Sequence, residues 1–194
     1  MKARPMAVAA AALATILIGP ALPARADWSP FGDYWNNLAR AAAQNDAGLV
    51  QHIVGTGGNP NEVDENDHTA LHIAAMNGNL QIAAILIKAG AKLDPKDKLG
   101  NTPLHYAAER GQIEVAKLLL DARAPVDSEN RSGVTPLMLA ASRGQVEVVQ
   151  ALLAKGANPT KSDYTGRDAI GWAAEGHRPG VIQALKRAAG AKHS

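Results

Sequence analysis

Polar and apolar residues alternate along most of this chain with a helical period. In QIEVAKLLLDA, Gln112 to Ala122, the residues Ile113, Val115, Ala116, Leu118, Leu119 and Leu120 are apolar, and Glu114, Lys117 and Asp121 fall between them. That spacing puts the charges on one side of a helix and the aliphatics on the other. Just before it stands TPLHYAAERG, Thr102 to Gly111, a shorter helical pattern. Thr102 suits the cap, and Pro103 suits the first helical position, where a missing N–H is not needed. The pair then repeats. TALHIAAMNG begins at Thr69 and TPLMLAASRG at Thr135, each 33 residues from its neighbour. Such a period marks a repeat architecture.

Aligned at that period, the chain gives five-fold columns. One reads Leu38, Leu71, Leu104, Leu137, Ile170. Two are alanine throughout: Ala41, Ala74, Ala107, Ala140, Ala173, and the residue after each. Paired alanines let neighbouring helices approach closely. A glycine follows the second helix in three units, at Gly57, Gly90 and Gly156, where a left-handed residue ends a helix. Arg123 occupies that place in the remaining inner unit. One helix pair cannot bury its apolar face, but stacked pairs can, so the columns predict a short α-solenoid.

TPLHYAAERGQIEVAKLLLDARAPVDSEN resembles an ankyrin repeat in its Thr-Pro-Leu-His-x-Ala-Ala, the following Gly, the apolar second helix and the polar turn. The resemblance covers about residues 34–192 and is strongest from Thr69 to Arg167. It implies an all-α ankyrin-repeat solenoid of about five helix–turn–helix units with β-hairpin-like turns. The expected bounds are an N-terminal capping unit at 34–66, repeats at 67–99, 100–132 and 133–165, and a C-terminal capping unit at 166–194. Departures from the pattern sit at the two ends, where one face of a solenoid meets water. In the last unit Gly-His-Arg-Pro-Gly, Gly176 to Gly180, replaces the usual link between helices, and the Ala-Gly-Ala of Ala189 to Ala191 lies one residue off the period.

Residues 1–26, MKARPMAVAAAALATILIGPALPARA, read differently: a basic start, an apolar run of 14 residues from Met6 to Gly19, then prolines and Ala-Arg-Ala. That is the layout of a secretory signal peptide cleaved between Ala26 and Asp27. The run is short of the ~20 residues that span a bilayer, so no membrane insertion is expected after cleavage. Lys2, Arg4 and Arg25 leave with it, and 17 basic residues then face 18 acidic ones. A globally basic, nucleic-acid-seeking protein is not supported. The chain contains no cysteine, which excludes disulfides, thiol catalysis and Cys-ligated metals. Together these point to a monomer in a Gram-negative periplasm. The segment 27–33, with Trp28 and Phe31, continues into Tyr34 and Trp35 and reads as an aromatic cover for the core edge, with a docking segment for a partner as the alternative.

Chemistry is sparse. His72 and His105 hold the fourth place of the signature, where the resemblance implies a structural hydrogen-bonding role. His68 and His72 are four apart, but His68 precedes the cap Thr69, so the two should not share a helix face. Asp64, Asp97 and Asp163, with Asn130 in the same column, read as turn residues. No phosphate loop, nucleophile elbow or paired catalytic carboxylates occur, so no enzymatic activity, cofactor or metal is expected. The resemblance instead implies a partner protein at the turn tips and the exposed side of the first helices. Carried over, the contact positions are Met76 and Asn77; Lys96, Lys98, Leu99, Asn101, Glu109 and Arg110; Arg131, Val134, Ser142 and Arg143; and Tyr164 and Arg167. Arg110 and Arg143 should be neighbours, with Lys96, Lys98, Arg131 and Arg167 on the same side, a groove for an acidic partner. Met76, Leu99 and Val134 would add apolar contacts, and Tyr164 an aromatic anchor. An alternative reading is an inhibitor or immunity protein that occludes a periplasmic hydrolase. A third is a peptidoglycan- or anion-binding module using Arg110 and Arg143.

Overall fold

A computed structural model describes residues 34–191. The signal segment, its cleavage site at Ala26–Asp27, Trp28 and Phe31 lie outside the described residues. Ten helices occur among the described residues, in five pairs: α1 (Tyr34–Ala43) with α2 (Ala47–Gly55), α3 (Ala70–Asn77) with α4 (Leu80–Lys88), α5 (Pro103–Arg110) with α6 (Ile113–Asp121), α7 (Pro136–Arg143) with α8 (Val146–Ala154), and α9 (Ala169–Glu175) with α10 (Pro179–Ala191). The first helices pack in the order α1, α3, α5, α7, α9, and the second helices form a parallel layer from α2 to α10. The result is an all-α solenoid. Among the described residues no helix is long and apolar enough to cross a membrane.

The periodic columns are the core. Leu38, Leu71, Leu104 and Leu137 are buried, as are the alanine pairs of the first four units. Ile82, Val115, Val148 and Val181 form one buried column in the outer layer, and Leu86, Leu119, Leu152 and Leu185 another. The fifth unit departs from these columns. Ile170 is half-buried and Ala174 is exposed, while Ala173 stays buried. Helix α10 runs through Gly190 to Ala191, about one turn past the point where α4, α6 and α8 stop in the repeat.

Left-handed residues punctuate each unit. Gly78, Gly111 and Gly144 end the inner first helices, with φ between 72° and 78°. Asn45 (φ 58°) and His177 (φ 55°) take that place in the end units. The link Gly176–Gly180 therefore keeps the 33-residue register. Arg123 adopts the left-handed conformation too, at φ 71°, where the other units use Gly57, Gly90 and Gly156. Strain of about 1 kcal/mol is expected there.

The turns between units are hairpin-like but contain no strands among the described residues; one isolated bridge joins Val63 and Thr69. A single carboxylate or amide organises each. Asp64 Oδ1 accepts from the N–H groups of Asn66 and His68, Asp97 Oδ1 from Leu99 and Asn101, Asn130 Oδ1 from Ser132 and Val134, and Asp163 Oδ1 from Thr165 and Arg167. The tips then bond to one another: Lys98 N–H donates to Asn66 O, Arg131 N–H to Leu99 O, and Tyr164 N–H to Ser132 O.

Candidate functional site: the face of turn tips and first helices

Two buried histidines set the geometry of this face. The backbone N–H of Thr69 donates to His72 Nδ1 at 3.0 Å, and that of Thr102 donates to His105 Nδ1 at 3.1 Å. Across the unit boundary, His72 Nε2 lies 3.1 Å from Asn101 O and His105 Nε2 lies 3.0 Å from Val134 O. A carbonyl can only accept and a backbone N–H can only donate. Both rings are therefore neutral, with the proton on Nε2. Burial holds both below the ordinary imidazole range, and the bond from His105 to Val134 only partly offsets this, leaving His105 at about 4. The structural role implied for this position is thus a cap and an inter-unit tie in one side chain. In the next unit Met138 stands in the same place, and its Sδ accepts from Thr135 N–H at 3.5 Å without the tie.

The acidic turn residues are equally committed. Burial works against the charge of Asp163, but donors from Thr165, Arg167 and Trp172 outweigh it and hold the carboxyl at about 2. Asp97 follows the same balance: burial opposes its charge, but the Tyr106 hydroxyl and the N–H groups of Asn101 and Leu99 keep it below the usual carboxylate range. The Tyr106 hydroxyl donates to Asp97 Oδ2 at 2.5 Å; burial and that bond push the phenol up to about 12. His68 joins this cluster, with Nδ1 3.3 Å from Asp64 Oδ2 and Nε2 3.4 Å from Asp97 Oδ2. It stands outside α3, as its place before the cap requires. These groups stabilise turns rather than await a proton from a ligand.

The expected contact residues divide into three kinds. Leu99 and Tyr164 are open to solvent, 64% and 73% exposed. Asn77, Lys96, Lys98, Arg110, Arg131 and Arg143 are also exposed, and Met76, Glu109, Ser142 and Arg167 half-buried. Several of these already have partners. Arg143 Nη2 lies 2.5 Å from Glu109 Oε1. Arg167 pairs with Glu175 and Asp163 and lies 4.5 Å over the Trp172 ring. Lys96 Nζ donates to Glu129 O. Ser142 Oγ donates back to Leu139 O, and the half-buried Asn101 uses Oδ1 to accept from Asn130. Val134 corrects the expectation of an exposed apolar contact. It is only 4% exposed, because it is aliphatic where the second, third and fifth units carry polar His68, Asn101 and Arg167, and it closes over the core.

Arg110 and Arg143 do meet, lining one shallow surface hollow with Glu109 and Gln145. Glu109 neutralises Arg143 there, so the hollow is less basic than the arginine column alone suggests.

One constellation escaped the sequence reading. Asn79 Nδ2 donates to Ala42 O, Gln112 Nε2 to Met76 O, and Arg178 Nε to Ser142 O. These residues share one column at the start of the second helices and tie the second, third and fifth units to the unit before. The 33-residue recurrence of a polar residue after the helix-ending position was its available signal. Trp172 is half-buried and donates from Nε1 to Asp163 Oδ2, so it braces a turn as well as packing on the core.

A rigid stack of helix pairs with a polar, residue-rich edge is the build of a helical-repeat interaction protein. The chain belongs to the ankyrin-repeat family: the family profile described as Ankyrin repeats matches it in three copies, over residues 38–130 and 122–193. Ankyrin repeats form protein–protein interaction modules and are in general not catalytic. Among curated proteins, the chain is similar to Ankyrin repeat domain-containing protein 39 of Homo sapiens, with 34% identity over 62 residues, 32% of this chain and 34% of that protein. It is also similar to the Potassium channel GORK of Arabidopsis thaliana, with 34% identity over 61 residues, 31% of this chain and 7% of that protein. The matched stretches thus span about a third of the first relative and a small part of the second.

Proposed function

We propose that this protein is an exported, non-enzymatic interaction module that binds another protein through the face formed by its turn tips and first helices. The observation that carries this reading is the continuity of that face. Four turn tips are joined edge to edge by backbone hydrogen bonds, and the histidine ties fix two of them to the helices behind. A surface held in this way loses little conformational freedom on binding, which leaves more of the contact energy as affinity. Export rests on the basic start, apolar run and Ala-Arg-Ala of residues 1–26.

The test is affinity capture from periplasmic extract with the immobilised protein, beside Arg110→Glu with Arg143→Glu. N-terminal sequencing of the exported form should begin at Asp27. A partner held by the wild type supports the module, and the partner's own activity, intact or blocked, separates a scaffold from an inhibitor. No partner under mild crosslinking contradicts the reading, as does retention of an uncleaved N-terminus in the cytoplasm.

A further inference from the structure

The turn tips carry one column of equivalent side chains: Glu65, Lys98, Arg131, Tyr164. Each follows the turn-organising residue directly, so all four project from the same point of successive tips. Two are held from below. A Cβ on Gly133 would fall 2.6 Å from Tyr164 Cδ1, and one on Gly100 would fall 3.0 Å from Arg131 Cγ. The Tyr164 ring and the Arg131 stem therefore approach the glycine of the preceding tip where a side chain would otherwise stand, and both remain exposed to solvent. Both glycines are left-handed, at φ 75° and 80°, a conformation that itself disfavours a side chain. Among the described residues neither Lys98 nor Arg131 enters an ion pair, whereas Arg143 and Arg167 do. Beside the row lies a hollow of about 380 Å³ that reaches from Asp67 past Lys96 and Arg131 to Tyr164.

Resting on the interaction-module reading, we infer that the tip row receives an acidic segment of the partner in polyproline II conformation. Its carboxylates would pair with Lys98 and Arg131, and an apolar side chain would sit on Tyr164. The conformation follows from spacing. Each tip is a chain reversal closed by its own backbone hydrogen bond, as from Asp97 N–H to Asn101 O, and joined to the next tip by another, so equivalent residues recur after two strand-like spacings of about 4.8 Å, roughly 9–10 Å. A polyproline II segment advances roughly 9 Å per three-residue turn and returns every third side chain to the same face. An extended strand advances a similar distance in three residues but turns the third side chain away. Acid at i, acid at i+3 and an apolar residue at i+6 then match Lys98, Arg131 and Tyr164 in order. A basic residue at i−3 meets Glu65. Lys98 and Arg131 thus carry the cations of the tip row, while Glu109 pairs with Arg143 in the neighbouring hollow and Asp67, Asp97 and Glu129 line the one beside the tips.

The probe is a fluorescein-labelled peptide, Lys-Pro-Pro-Glu-Pro-Pro-Glu-Pro-Pro-Leu, titrated into the protein and followed by anisotropy. A control of the same composition carries its charged and apolar residues at every second position. The three-spaced peptide should bind at least about tenfold tighter than the control. Lys98→Glu with Arg131→Glu should abolish that preference, and Tyr164→Ala should weaken it about tenfold, with unchanged thermal melts. Equal binding of the two peptides, no saturable binding, or binding that persists in the tip variants overturns the inference. A partner captured from extract that is indifferent to the tip variants would also sink it while leaving the interaction module standing. Tight binding of an anionic polysaccharide that is insensitive to Tyr164→Ala would assign the row to bulk charge and contradict the peptide geometry.

Discussion

Acid should loosen this solenoid well before its carboxylates titrate, and His105 is the reason. The ring is fully buried, accepts Thr102 N–H at Nδ1 and donates to Val134 O from Nε2. A second proton would have to sit on Nδ1, facing an N–H that is already pointed at it. The unfolded chain binds that proton near 6.5 and the folded protein only at about 4. Between those values the unfolded state carries more protons, so stability falls as pH falls. The stabilisation is fully present above pH 6.5 and gone by about pH 4. A gap of some 2.5 pH units, at about 1.4 kcal/mol each, gives a loss of about 3 kcal/mol, with His72 adding in the same direction. For a domain of this size that is a Tm lowered by roughly 6–12 °C. The chain supplies its own control, because Met138 fills the same place one unit later. His105→Met should cost about 1–3 kcal/mol at pH 7, since Val134 O loses its donor. Yet it should remove the His105 part of the slope, so urea denaturation curves of the two proteins should converge toward pH 4. Parallel stability profiles between pH 6.5 and pH 4 would refute the reasoning, as would a His105 ring signal that titrates near pH 6.5 in the folded protein.

Other substitutions probe the backbone and the turns. Arg123→Gly should raise stability by up to about 1 kcal/mol in thermal melts, because it relieves the one left-handed non-glycine residue that follows an inner second helix. Asp163→Ala should lower it by about 3 kcal/mol, leaving the N–H groups of Thr165 and Arg167 and the Trp172 indole without their acceptor. Gly176→Ala should cost about 2 kcal/mol and expose α9 and α10 to faster hydrogen exchange than α7, because its Cβ would press into the Ser142 carbonyl. No change in that exchange pattern would mean that the last unit is not seated on Gly176.

Much of this architecture was legible because repetition averages out local ambiguity. The leucine and alanine columns located the core, and the glycines located the helix ends. The paired roles of His72 and His105 followed from the ankyrin resemblance. Reading a surface is harder, because exposure depends on neighbours that a linear pattern does not rank. Val134 occupies a column that is partly open elsewhere, and only its packing shows that it closes over the core. Arg143 and Glu109 sit 34 residues apart, so a charge column counted along one helix position missed the carboxylate one step away on the previous helix. The Asn79, Gln112 and Arg178 ties were hidden because three different side chains perform one task. His177 and Arg178 keep the register through a link whose residues match no other unit.

The central claim is that binding happens on the tips and first helices, and hydrogen exchange on the captured complex tests it most directly. The account predicts added protection on binding from Asn66 to Arg167 at the tips and along α3, α5 and α7, with the outer helices α4, α6 and α8 unchanged. Protection confined to those outer helices, or a partner lost without any change at the tips, would contradict it.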